Sequence, residues 1–302
     1  MQMNDPLFYV EDSGYRVSVV VKSGVSVHDS STLVTVVARY PRIFAHSQFL
    51  THRSFSRNST SNRAMGFKRC LEEVRNDLAG PITWQRDKRG MVGGDELSPE
   101  EVAFCQSMWK GAAEDACRRA EYLHGAGVHH QVVNRLIEPY QWITTVMTNT
   151  LGGWKAFWGL RCDDDAQPEL KHLARLTRTA VLESPYSELI AGWHVPFVGR
   201  NDYSFWCSVG DSLGVWPYEC RLLASAGRCA RVSYARLDRD DCSVDHAIED
   251  IQLAQSLIKK GHWSPFEHQA RVVDSGSLGL LRNLDGWVQQ RAILEVENSY
   301  GT

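Results

Sequence analysis

The stretch THRSFSRNSTSNR, residues 51–63, carries Arg53, Arg57, Arg63 and His52 among serine and threonine hydroxyls, with no acid and no lysine. A guanidinium is a permanent cation whose planar fork matches phosphate and carboxylate oxygens. Ser56, Ser59, Thr60 and Ser61, with the backbone N–H groups around them, can complete a nest for an anion. This is the composition of a binding loop for a small, negatively charged molecule. A solvated basic loop that ties down neighbouring acids would have the same composition.

Three further stretches carry chemistry. In VNRLIEPYQWITTVMTN, residues 133–149, Arg135 sits inside an apolar helical run, where the plain expectation is an ion pair with Glu138. In FWGLRCDDDAQPEL, residues 157–170, Arg161 precedes three aspartates, and the plain expectation is a local pair with Asp163 or Asp165. In GHWSPFEHQARV, residues 261–272, His262, Ser264, Glu267 and His268 fall around Pro265. The two histidines lack a third ligand at metal spacing, so hydrogen-bonded turn histidines are expected and no metal.

The elements that must position these residues read as follows. Residues 15–21 and 33–39 are β-branched runs and form strands, joined as a hairpin or short meander. Pro41 ends the second, and RIFAHSQFLTHR follows as a helix. Residues 51–63 should be loop, because Ser, Asn and Thr hydrogen-bond their own backbone. After a Gly-rich connector at 80–97, Ser98, Pro99 and Glu101 spell a capped helix start, and Gly125 and Gly127 its stop. Residues 129–137 and 141–150 read as helical pieces around Pro139. Helices also follow at 168–183 and 244–260, the latter stopped by Gly261. Residues 184–228 read as irregular. The sum is an α+β, helix-rich single domain with a central antiparallel sheet, divided as 1–183, a connecting insertion at 184–228, and 229–302.

Bulk properties narrow the function. The chain has 302 residues, 43% of them apolar, and a net charge of −3, so it lacks the basic surplus of a nucleic-acid binder. No apolar run reaches the length of a membrane span. The N-terminus lacks the basic and apolar regions of a signal peptide. None of the eight cysteines forms a C-x-x-C pair, so a reducing, cytoplasmic setting is expected.

Taken together, the blocks resemble the flavin-dependent thymidylate synthases. His52–Arg53 followed at a fixed distance by Ser61 is similar to that family's R-H-R-x7-S signature. N-R-L-x-E-P at 134–139, L-R-x4-A-Q-P-E at 160–169, A-R-V-S-Y at 230–234 and G-H-x-S-P-F-E-H at 261–268 resemble its other blocks. The order is rotated: the last two blocks precede R-H-R in the usual member and here follow it, which resembles a circularly permuted, phage-type variant. The first motif arginine is Thr51, and the acid two places before the motif serine is Ser59.

The resemblance implies C5 methylation of dUMP to dTMP with FAD, NADPH and 5,10-methylene-tetrahydrofolate. It implies that Gln48, Ser61, Arg63, Arg135 and Arg161 bind the pyrimidine deoxynucleotide monophosphate. It places His52, Arg53, Ser233, His262 and Ser264 at the flavin, with Arg161 and His262 closest to the chemistry. Arg291 is the candidate to supply the charge absent at Thr51. It also implies a homotetramer with shared active sites. Two alternatives stay open: a hydroxymethylase or dCMP-specific C5-modifying enzyme on the same fold, and a non-catalytic nucleotide- or flavin-binding homologue.

Overall fold

The computed structural model describes residues 6–24, 31–198, 202–235 and 243–299, so the middle of the 22–32 connection and Cys242 lie outside the described residues. The chain opens with β1 (Phe8–Asp12), β2 (Tyr15–Ser23) and β3 (Leu33–Pro41). Then come α1 (Arg42–Phe49), β4 (Ser56–Ser59), α2 (Phe67–Asn76), α3 (Pro99–Gly125) and α4 (His130–Ile137). A long strand, β5 (Trp142–Thr150), leads into α5 (Leu151–Arg161) and α6 (Pro168–Glu183). The C-terminal part holds β6 (Trp193–His194), α7 (Tyr203–Leu213), α8 (Pro217–Arg231), α9 (Val244–Lys259), β7 (Ala270–Val272), β8 (Trp287–Gln289) and α10 (Gln290–Ser299).

The first five strands form one antiparallel sheet in the order β1-β2-β3-β5-β4, and β6-β7-β8 form a second. The α+β class and the central antiparallel sheet are as the sequence predicts. So are the β2–β3 hairpin and the start of α3, where Ser98 and Glu101 make a reciprocal capping box.

Three expectations are corrected. Residues 141–150 are a strand, not a helix. Ile143, Thr144, Thr145 and Val146 are β-branched, and the run pairs along its whole length with β3, from Leu33↔Thr150 to Pro41↔Trp142. A strand buried on both faces shows no alternation, which hides its period. Within the expected loop at 51–63, Ser56–Ser59 adds an edge strand to β5, a long-range pairing that overrides local propensity. Residues 184–228 contain α7 and most of α8. Asp202 caps α7 by accepting from Phe205 N, Gly214 ends it at φ +66°, and Pro217 opens α8.

The main sheet has two differently used faces. Val17, Val19, Val36, Ala38, Tyr40, Ile143 and Met147 bury against residues of α1, α5 and α6, including Phe49, Trp154, Phe157 and Leu173. On the other face Val37 and Val146 meet Cys229 and Val232 from α8 and the turn after it. α8 crosses α9 at very short range. A Cβ added to Gly227 would lie 2.1 Å from the backbone oxygen of Asp250. At this crossing Arg228 Nε (3.1 Å) and Arg231 Nε both donate to the buried carboxylate of Asp250.

Candidate active site

The segment from His52 to Met65 is the hub. It turns off α1, runs through β4 and turns again before α2, and each of the other blocks touches it. From the L-R block, Arg161 Nε donates to His52 Nε2 at 2.9 Å. From the N-R-L block, Asn134 Nδ2 donates to the carbonyls of Asn62 and Met65, both at 3.0 Å. From A-R-V-S-Y, the Ser233 carbonyl accepts from Ser61 N at 3.1 Å. The S-P-F-E-H turn reaches Asn58 through Ser264 and His268. The following segment grips the strand as well: Gln289 Nε2 donates to Ser56 Oγ (2.8 Å) and to Glu267 O (2.7 Å).

Strand alternation sends β4 two ways. Arg57 and Ser59 face the α1 side. Arg57 Nη1 donates to His52 O at 3.1 Å, and Ser59 Oγ bonds Thr145 Oγ1 at 2.9 Å. Tyr40 OH joins the same Thr145 hydroxyl and His46 Nδ1, each at 2.9 Å. His52 rests edge-on against Phe157 with ring centroids 4.9 Å apart. Burial lowers its pKa, and Arg161 and Arg57 lower it further, so the imidazole is neutral. Its Nε2 lone pair holds Arg161 in place, which leaves the proton on Nδ1. Arg161 does not pair with Asp163 or Asp165, correcting that expectation. Among the described residues its Nη groups make no hydrogen bond, and no acid lies within ion-pair range of Arg53, Arg57, Arg63 or Arg161.

Asn58 faces the other way, into a buried polar chain. The partners of its amide are best satisfied with the nitrogen donating to His268 Nε2 (3.0 Å) and the oxygen accepting from Ser264 Oγ (3.1 Å). That orientation fixes the rest. His268 Nδ1–H donates to Thr148 Oγ1 (2.8 Å), Thr148 to Thr35 Oγ1 (2.7 Å), and Thr35 to His194 Nε2 (2.8 Å). His194 Nδ1–H then donates to Ser23 Oγ at 2.9 Å. Burial holds both histidines down to about 3, so they are neutral spacers that pin Asn58 and Ser264 to the sheet. His268 is thus the satisfied turn histidine its sequence suggests, whereas His262 is exposed.

The remaining candidates are spread around the hub. Arg63 is exposed on the turn after β4, where its carbonyl meets the His130 ring at 3.1 Å. Arg135 is exposed and pairs with Glu138 through Nη1 at 2.8 Å, as its sequence context suggests. Gln48 Nε2 donates to Gln167, whose own amide donates to Glu169 (3.1 Å). Arg291 lies beside the S-P-F-E-H turn but is bound by Glu267 and by Glu295 (2.9 Å), so its charge is already balanced. Within this chain the structure joins His52 to Arg161 and Ser61 to Ser233; it does not bring Arg135 or Arg291 to them. Asn58, Asn62 and Asn134 were missed as organising residues. Their only sequence signal is polarity inside otherwise apolar or hydroxyl-rich runs. Among the described residues no cluster of metal-ligating side chains occurs, and no helix is long and apolar enough to cross a membrane.

No family model matches the chain, and no curated protein matches it. Among solved structures, a UMP/dUMP methylase, PolB, from Streptomyces cacaoi bound with 5-Br UMP aligns with a TM-score of 0.44 at 16% identity, covering 56% of this chain and 89% of that one. The same enzyme bound with 5-Br dUMP aligns at a TM-score of 0.42 and 17% identity, over 50% of this chain and 67% of that one.

Proposed function

We propose that the protein is a flavin-dependent enzyme that methylates the C5 position of dUMP, taking the one-carbon unit from methylene-tetrahydrofolate and reducing equivalents from NADPH. One observation carries the reading: blocks of sequence up to 210 residues apart, each resembling part of that family's signature, converge on the single segment from His52 to Met65. Chance motif matches would have no reason to meet in space.

The residues fit an anionic ligand. Arg53 is exposed, Arg161 keeps its Nη groups for a partner outside the chain, and both lie beside a neutral histidine rather than an acid. Guanidinium forks of this kind form two-pronged, charge-assisted bonds to phosphate or to a pyrimidine carbonyl edge. In the proposed roles, Ser61 and Arg63 hold the nucleotide phosphate. Arg161 stabilises negative charge that develops on the pyrimidine ring, and His52 keeps its guanidinium in register. Ser233 and Ser264 line the flavin side, with the buried histidine chain fixing the position of Ser264. The flavin, when bound, supplies the hydride chemistry. Arg135 and Gln48 would join the substrate after exchanging their present partners, or from a neighbouring subunit of a homotetramer.

The test is a visible-absorption titration with FAD in the absence and presence of dUMP. The reading expects a bound-flavin spectrum that shifts when dUMP is added. A protein that binds neither ligand would overturn it.

A further inference from the structure

A cavity of about 290 Å³ lies at the end of the main sheet, between the first residues of β2 and β5, the connector after α2, and α3. It is just smaller than the usual drug-sized sites and has room for a bicyclic ring. None of its lining residues belongs to the His52–Met65 segment. Its walls are flat. Trp84 and Trp109 meet edge-on with ring centroids 6.5 Å apart, and Trp142 lines the strand side. Pro81 and Ile82 add apolar surface, and none of the described lining side chains carries a charge. Trp109 is anchored, its Nε1–H donating to Ala79 O at 2.9 Å.

Two polar atoms of the lining residues have nothing to bond. Tyr15 is 1% exposed and Trp142 7% exposed, yet among the described residues neither the Tyr15 hydroxyl nor Trp142 Nε1 has a hydrogen-bond partner. The two rings meet edge to face with centroids 5.7 Å apart, so both residues form one corner of the cavity. An indole N–H can only donate. Burial, with the charge of Glu169, raises the Tyr15 pKa, so its hydroxyl keeps its proton and can donate as well. Buried donors without a partner are costly, and a ligand that accepts from both would satisfy them.

The surroundings also limit the ligand's charge. Arg39 lies 4.2 Å above the Trp142 ring, so that ring already holds one cation and disfavours a second. An anion would find no lining cation, and Glu169, whose carboxylate accepts from Ile82 N at 3.2 Å, would repel it. An unpaired charge among apolar walls is costly. Aromatic walls favour a flat aromatic partner. We infer that this cavity binds a neutral, flat bicyclic heteroaromatic whose carbonyl oxygen accepts from the Tyr15 hydroxyl and from Trp142 Nε1–H. The site is separate from the Arg161–His52 cleft, and its occupancy does not depend on the proposed methylation.

The experiment is isothermal titration of the full chain with bicyclic rings of similar size: isoquinolinone, indole, N-methylisoquinolinium and naphthoate. Isoquinolinone, neutral with a carbonyl acceptor, is expected to bind. Indole, neutral but with a donor and no acceptor, is expected to bind about tenfold more weakly, the scale of one or two neutral hydrogen bonds. The cationic and anionic rings are expected to bind more weakly still. Tyr15→Phe should keep or raise the thermal midpoint, because the hydroxyl has no protein partner to lose, and should cut isoquinolinone affinity about threefold to tenfold. Trp84→Leu, at a half-buried wall residue, should weaken the same binding. Arg161→Ala should retain it, which separates this cavity from the nucleotide cleft. No isoquinolinone binding, equal binding of indole or of either charged ring, or affinity unchanged in Tyr15→Phe would each overturn the inference. So would a lowered midpoint in Tyr15→Phe, which would mean that the hydroxyl is already satisfied, or binding lost in Arg161→Ala.

Discussion

Gly227 offers a case in which local propensity and packing give opposite signs. It lies inside α8, and replacing a helical glycine by alanine ordinarily stabilises by about 1 kcal/mol. Here the new Cβ would sit 2.1 Å from the Asp250 oxygen, 2.7 Å from its carbonyl carbon and 2.9 Å from its Cα, all backbone of α9. Ordinary contact needs about 3.4 Å or more, so the helices must part by roughly 1 Å. Overpacking of this kind costs about 1–3 kcal/mol, and a backbone obstacle that cannot rotate away puts Gly227→Ala at the upper end. Unfolding entropy of about 2.1 cal/mol/K per residue gives about 0.6 kcal/mol/K for a chain of this length, so a net loss of about 2 kcal/mol lowers Tm by about 3 °C. The control is Gly111→Ala in α3, where an added Cβ meets nothing within 4 Å. It should raise Tm slightly. Differential scanning calorimetry of both variants decides the matter. A Tm for Gly227→Ala at or above that of the parent would refute the packing argument. α8 ends at the turn whose Ser233 carbonyl holds Ser61, so the same variant should also weaken ligand binding at the hub.

Other outcomes follow from the same contacts. Burial holds His194 and His268 down to about 3 and His46 to about 4, against about 6.5 in the unfolded chain. Between pH 6.5 and 4 the unfolded state therefore binds more protons. Stability is fully present above pH 6.5 and falls with pH, by up to about 1.4 kcal/mol per unit for each histidine. Urea midpoints that are flat from pH 7 to pH 5 would contradict this. Arg161→Ala should cut turnover on the preferred nucleotide by about 10²–10³, as for removal of one donor to developing charge. Circular dichroism should remain that of the parent, because the arginine's hydrogen bond is to a half-buried histidine.

Much of this was legible in the sequence. Ser98, Pro99 and Glu101 marked the start of α3 because a capping box is local chemistry. The β2–β3 hairpin was legible from its β-branched runs. β5 was not, because its residues are buried almost throughout and carry no period, and only its pairing with β3 makes it a strand. β4 was hidden for a related reason: Ser-Arg-Asn-Ser is loop chemistry until β5 supplies an edge. At the site, residue types singled out the segment on which the other blocks converge, and Arg135 announced its own pairing with Glu138. What could not be read was which partner Arg161 would choose. Three aspartates adjoin it in sequence, yet α5 delivers it to His52, 109 residues earlier. Half of the charge balance of Arg291 was equally invisible: Glu295 stands four residues on, but Glu267 meets it only once the S-P-F-E-H turn has folded.

The most direct test of the proposed activity is the mass of the nucleotide product after incubation with FAD, NADPH, methylene-tetrahydrofolate and either dUMP or dCMP. The account predicts a methyl gain on dUMP and none on dCMP. A hydroxymethyl gain, turnover confined to dCMP, or no product from a flavin-loaded preparation would contradict it.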